Sequence, residues 1–194
     1  MSKLYFRYGA MGCGKTAQLL QVAFNYNEKG IKAIVMKPKL DTKAGEKLFT
    51  RIGLYRDIDH LIESSEDLYE LISKKYKDVG CVLIDEAQFL ERSQVDQLMK
   101  VVIEFDIPVL CYGIRTNFLT EGFSGSTRLL EIAHSIEELK TICSCGKKAM
   151  FNARYVDGVL VNSGESVLID DSANIKYVAM CPSCYYKEID KINI

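Results

Sequence analysis

Three groups of residues in this chain have types and spacings that could do chemistry. The first is Gly9-Ala10-Met11-Gly12-Cys13-Gly14-Lys15-Thr16, which follows the apolar run Leu4-Tyr5-Phe6. Its pattern is G-x-x-x-x-G-K-[ST]. Gly9, Gly12 and Gly14 let the backbone take conformations that a side chain would forbid, so successive N–H groups can converge on phosphate oxygens. A helix opening at Thr16 would aim its positive end at the same point. Lys15 would neutralise β/γ-phosphate charge and the Thr16 hydroxyl would ligate Mg²⁺.

The second group is Val82-Leu-Ile-Asp85-Glu86-Ala-Gln88-Phe89. An apolar strand that ends in aspartate delivers a carboxylate, Asp85, to a Mg²⁺ shell beside a phosphate loop. Glu86, the next residue, is placed to take a proton from an attacking hydroxyl or water. The third group is Cys143-Ser-Cys145 with Cys181-Pro-Ser-Cys184. Two cysteine pairs on tight turns supply four thiolates for tetrahedral Zn²⁺, and a closed four-sulfur shell makes that metal structural.

These groups need elements to hold them. The apolar runs and helical patterns predict a strand over Leu4–Arg7, a helix over Thr16–Lys29 ending near Gly30, and a strand over Lys32–Met36 closed by Pro38. Asp41–Gly53 reads as a polar loop. Ser64–Tyr76 reads as a helix with a Ser64-x-x-Asp67 capping signal, Cys81–Ile84 as a buried strand, Ser93–Phe105 as a helix and Pro108–Tyr112 as a strand. Such alternation predicts an α/β fold, a doubly wound parallel sheet with helices on both faces and ligands at the carboxyl ends of its strands. After Leu139 the segments shorten. The expected division is a nucleotide-binding domain over residues 1–138 and a small zinc-binding domain over 139–194.

Length and composition narrow the function. The 194 residues can bury one sizeable core with a small appendage, and the formal net charge of −1 offers no basic field for nucleic acid. A small-molecule partner is expected. With no membrane-length apolar run and no signal-peptide pattern, the expected compartment is the cytoplasm, with no membrane association. Seven cysteines, an odd number, favour reduced thiols and a metal site over disulfides. His60 and His134 show no catalytic or metal spacing and read as structural or exposed. The phosphate-loop thiol, Cys13, lies near Lys15 and near amides aimed at an anion, conditions that activate a thiol.

The motifs do not by themselves name the phosphoryl acceptor. Water would make a motor or nucleic-acid-stimulated ATPase, and a small hydroxyl compound would make a kinase. A zinc-stabilised regulatory module that binds nucleotide without turnover is a third class. The "DEAQ" box is shared with helicases, but those generally need two such domains and this chain has room for one.

Taken in order, "GAMGCGKT", "DEAQF", "PVLCYGIRTNF" and the cysteine pairs resemble the zinc-containing, cytosolic-type (type II) thymidine kinases over nearly the whole chain. The resemblance implies a RecA-like sheet with a small zinc domain and transfer of the ATP γ-phosphate, with Mg²⁺, to the 5′-hydroxyl of thymidine. It also implies a homotetramer, feedback inhibition by dTTP and a role in deoxynucleoside salvage for DNA synthesis. Carried over by position, it implies that Glu86 is the general base, Asp85 the metal-side carboxylate and Gln88 part of the nucleotide site. Phe89, Ile114, Phe118 and Phe123 match apolar positions around the thymine ring, and Leu168, Ile169 and Tyr177 a loop that closes over the nucleoside. The chain departs from the family pattern at two places. Where the family has Asp-x-Arg, this chain has Asp41-Thr-Lys43, which keeps the charge but loses the bidentate fork, with Arg51 as a compensating cation. Where the family has a Gly-Gly pair, this chain has Ile169-Asp170-Asp171 and a longer insert before Tyr177.

Overall fold

The apolar runs become strands because each is buried on both faces, which requires helices above and below. A computed structural model describes residues 1–39, 47–164 and 174–192. Its strands are β1 (Leu4–Tyr8), β2 (Ala33–Pro38), β3 (Lys47–Phe49), β4 (Tyr55–Asp57), β5 (His60–Ile62), β6 (Cys81–Ile84), β7 (Val109–Gly113), β8 (Ser135–Glu138), β9 (Phe151–Val156), β10 (Val159–Val161) and β11 (Ile175–Met180). Its helices are α1 (Lys15–Glu28), α2 (Leu68–Lys75), α3 (Arg92–Phe105), α4 (Ser124–Ile132) and α5 (Pro182–Ile192), with a 3₁₀ turn at Ala87–Phe89.

Six strands form one sheet in the order β5-β2-β6-β7-β1-β8, and every pair in it is parallel. Alternate side chains feed two cores. Ala33 and Val35 of β2 and Leu110 and Tyr112 of β7 pack with Leu19, Leu20 and Ala23 of α1 on one face. Ile34, Met36, Val109 and Cys111 face the other way, onto Leu68 and Ile72 of α2, Val95 and Leu98 of α3 and Leu129 of α4. The α/β class and the helices on both faces are as the periodicity predicts. A second, antiparallel sheet, β10-β9-β11, packs with α5 around the cysteines.

Several elements differ from the sequence reading. Within the stretch read as a polar loop, Lys47–Phe49 forms β3 and pairs with Tyr55–Asp57 as a hairpin; Leu48 is buried in the α1-side core, and Phe49 stacks on Tyr55 at 6.2 Å. The helix expected from Ser64 begins at Leu68, because Asp67 is its cap, accepting from the Glu70 N–H at 2.9 Å. The carbonyls of Glu63 and Glu66 are engaged by the Gln94 side chain. β5, α4 and β8 are further elements that the pattern did not announce. Both histidines serve the fold: His60 Nε2 pairs with the Glu66 carboxylate, and His134 Nδ1 accepts from the Leu4 N–H at 3.1 Å.

Candidate active site

The phosphate loop leaves β1 at the carboxyl end of the sheet and enters α1 through Gly14, whose φ of 86° is left-handed and open to glycine without strain. Gly12 is also left-handed, at φ 78°. Lys15 folds back over the loop, its Nζ donating to the carbonyls of Gly9 (2.9 Å) and Ala10 (3.1 Å) and lying 3.5 Å from Cys13 Sγ. Thr16 Oγ1 donates to Asp85 Oδ2 at 3.0 Å, so the hydroxyl and the carboxylate read as metal ligands meet between α1 and β6. Asp85 is buried, and that burial, reinforced by the neighbouring Glu86 charge, raises its pKa to about 6. A hydroxyl beside a desolvated carboxylate is an oxygen donor set suited to Mg²⁺.

Glu86 occupies the left-handed region, φ 52° and ψ 37°, at the start of the 3₁₀ turn. This conformation carries local strain for a residue with a Cβ, and it turns the carboxylate away from the strand. Gln88 holds it there: Gln88 Nε2 donates to Glu86 Oε2 at 2.5 Å, while Gln88 Oε1 accepts from the Ile114 N–H at 3.2 Å. Gly113 makes room, since a Cβ there would lie 2.7 Å from Gln88 Oε1.

A cleft of about 390 Å³ joins these parts, lined by Met11, Gly12, Gly14 to Ala17, Phe49 to Ile52, Glu86 and Ile114. Arg51, at the tip of the β3–β4 hairpin, belongs to this cleft, and its Nη1 lies 3.6 Å from where a Cβ on Gly12 would be. A cation that the sequence offered only as a substitute is therefore over the phosphate loop. Asp41, Lys43, Leu168 and Ile169 lie outside the described residues.

The aromatic residues divide. Phe89 and Phe123 meet edge to face at 5.4 Å, whereas Phe118 is buried with the Arg154 guanidinium 3.5 Å above its ring centroid. The Phe118 carbonyl accepts from the Tyr185 hydroxyl at 2.6 Å. Tyr177 is on β11, paired in register with Arg154 of β9, so both side chains emerge on one face.

The cysteine pairs come together as the spacing predicts. One ligand atom from each of Cys143, Cys145, Cys181 and Cys184 lies within 4.8 Å of all the others. Tetrahedral Zn–S bonds of about 2.3 Å place sulfurs roughly 3.8 Å apart, so the cluster fits zinc. Backbone N–H groups of Cys145 and Cys181 draw the Cys143 thiol down to about 6, and hydrogen bonds with the other thiols push Cys184 up to about 12. A divalent cation would let all four ionise. All seven cysteines are free thiols.

A family model described as thymidine kinase matches residues 2–185. This chain belongs to the thymidine kinase family. A thymidine kinase of Novosphingobium aromaticivorans is 46% identical over 185 residues, covering 93% of this chain and 95% of that protein. One from Francisella tularensis subsp. tularensis is 43% identical over 188 residues, with the same coverages of 93% and 95%. One from Enterobacteria phage T4 is 40% identical over 195 residues, covering 98% of each.

Sequence reasoning missed two polar residues of this thymidine kinase family member, Asn152 and Arg154, which are nearly inaccessible at 4% and 1% exposure. Asn152 Oδ1 accepts from the Met11 N–H of the phosphate loop at 2.7 Å. The available signal is the alternation Phe151-Asn152-Ala153-Arg154-Tyr155, period two with a polar face.

Proposed function

We propose that this chain transfers the γ-phosphate of ATP to the 5′-hydroxyl of thymidine, and also of deoxyuridine, giving the nucleoside monophosphate and ADP in pyrimidine deoxynucleotide salvage. The observation that carries the reading is the single cleft in which Lys15, Thr16 and Glu86 meet, in a chain of the thymidine kinase family.

In this reading the loop amides from Gly12 to Thr16 cradle the triphosphate, the Met11 N–H being held by Asn152, and Lys15 leaves its loop carbonyls to neutralise the β/γ oxygens. Arg51 adds charge from the hairpin side. Thr16 and Asp85 would hold Mg²⁺, directly or through water. Bound Mg²⁺ supplies further neutralisation of the charge that develops on the phosphoryl oxygens. Glu86 accepts the proton of the 5′-hydroxyl as its oxygen bonds to phosphorus and the ADP oxygen leaves. Gln88 serves the same site by orienting Glu86. Phe89, Ile114, Phe118, Phe123 and Tyr177 form the apolar surroundings of the base, where flat rings suit a pyrimidine. Cys143, Cys145, Cys181 and Cys184 would hold Zn²⁺ as a cross-link between the 143–145 turn and the start of α5.

The same reading includes a homotetramer, inhibition by dTTP, a cytoplasmic location and a division into residues 1–138 and 139–194. In support of the division, β8 ends at Glu138 and the cysteine-bearing segments follow it. No helix among the described residues is long and apolar enough to cross a membrane.

The test is a Mg²⁺-ATP assay with thymidine, deoxyuridine, deoxycytidine or no acceptor, run beside Glu86→Gln. Monophosphate formed from thymidine and largely lost in the variant is the expected result. Phosphate released at the same rate without nucleoside would make water the acceptor and end the proposal.

A further inference from the structure

Strand β9 separates its side chains by face. Phe151, Ala153 and Tyr155 pack into the core around the cysteines, together with Ala10 of the phosphate loop. Asn152 and Arg154 emerge on the opposite face, about 7 Å apart along the strand. Asn152 ends on the phosphate loop, and Arg154 on a ring that the proposed function puts beside the base. Asn152 receives the Met11 N–H at 2.7 Å, and Arg154 lies flat on Phe118 at 3.5 Å while its Nη2 donates to the Ser163 carbonyl at 3.1 Å.

The phosphate loop is backed from the same side elsewhere. A Cβ on Gly9 would run into the Leu139 carbonyl, and Ala10 is 5% exposed. An amide donated to Asn152 is not available to a phosphate, so this contact sets the shape of the loop and leaves the neighbouring N–H groups directed at the anion. A guanidinium pressed on one face of Phe118 likewise fixes which way that ring can turn.

We propose that β9 is a strut shared by the donor and acceptor sites, in which Asn152 is the positioning residue for the phosphate loop and Arg154 the positioning residue for Phe118. The assignment deepens the thymidine kinase reading and rests on it. The two roles predict opposite kinetic signatures. Asn152→Ala raises KM for ATP about tenfold, the usual weight of one such hydrogen bond, and leaves KM for thymidine within about twofold. Arg154→Met, which keeps the aliphatic stem, raises KM for thymidine about fivefold to tenfold and leaves KM for ATP within about twofold.

The experiment is steady-state kinetics of the full chain and both variants, with each substrate varied at saturating levels of the other. The crossed pattern supports the strut. An equal rise of both KM values in each variant, or an unchanged KM for ATP in Asn152→Ala, overturns it. A wild-type chain that does not phosphorylate thymidine defeats the functional reading instead. In that case, or if a variant fails to fold, amide hydrogen exchange of the wild-type chain decides. Protection of the Met11 amide before any nucleotide is added supports the contact, and exchange at the rate of an unbonded amide overturns it.

Discussion

Replacing Gln88 by methionine keeps the length of a buried side chain and removes both of its hydrogen bonds. The bond to Glu86 is charge-assisted, and losing such a bond costs about 1.5–3 kcal/mol; the Ile114 N–H left without its acceptor costs about 1–3 kcal/mol more. The second cost falls on folding. The first falls on the orientation of the carboxylate, which in the proposed reaction is needed most when the proton moves. If about 2 kcal/mol of it is lost in the transition state, kcat falls roughly thirtyfold. KM for ATP stays within about twofold, because in this geometry Gln88 holds the base and not the nucleotide. Gly113→Ala should approach the same result from the other side, since its Cβ would press on Gln88 Oε1 from 2.7 Å. The assay is kcat and both KM values at saturating co-substrate, with a denaturant titration to register the folding cost separately. An unchanged kcat with a raised KM for ATP would make Gln88 a nucleotide ligand and refute the argument.

Asp85 gives a pH signature in the absence of divalent ions. Its folded pKa of about 6 exceeds the ordinary 3.8, so the folded state binds the proton more tightly. Stability therefore falls as pH rises between those values, by about 3 kcal/mol, and levels off above the folded pKa. Asp85→Asn should abolish that fall in thermal melts while eliminating activity. Cys184→Ser should lose bound zinc by elemental analysis and lower Tm, and a strong chelator should do the same to the wild-type chain. Among the thiols outside the cluster, burial makes Cys111 unreactive and pushes Cys81 up to about 12, whereas Cys13 is half-exposed beside Lys15. Iodoacetamide should label Cys13 first, and ATP should protect it; equal labelling with and without nucleotide, read by peptide mass spectrometry, would remove the idea.

What was legible in the sequence was contiguous. The phosphate loop, Asp85-Glu86 and the cysteine pairs are each marked within a few residues, and the structure brings the first two to one cleft and the four thiols together; the buried strands Cys81–Ile84 and Val109–Gly113 are continuous apolar runs. The β3–β4 hairpin escaped because its strands are three residues each and expose Phe49 and Tyr55, so no face pattern marks them. β8 escaped because an edge strand with two glutamates reads as a loop. Asn152 and Arg154 escaped for a different reason. Alternation reports that β9 has a polar face, but a polar face ordinarily means solvent, and here it is covered by the phosphate loop and Phe118.

The clasp on the phosphate loop also sets an order of events at the ribosome. Residues 9–16 emerge well ahead of their partners, for Gly9 rests on Leu139, Met11 on Asn152 and Ala10 in the core that contains Cys181. Contacts of such long sequence separation form late, since the intervening chain must first be ordered. The central sheet is complete in sequence at Glu138, before any of these partners has been synthesised. A nascent chain can thus hold a finished sheet and an unfinished nucleotide site, and its competence to bind ATP waits for the segment that runs from Leu139 through Cys181.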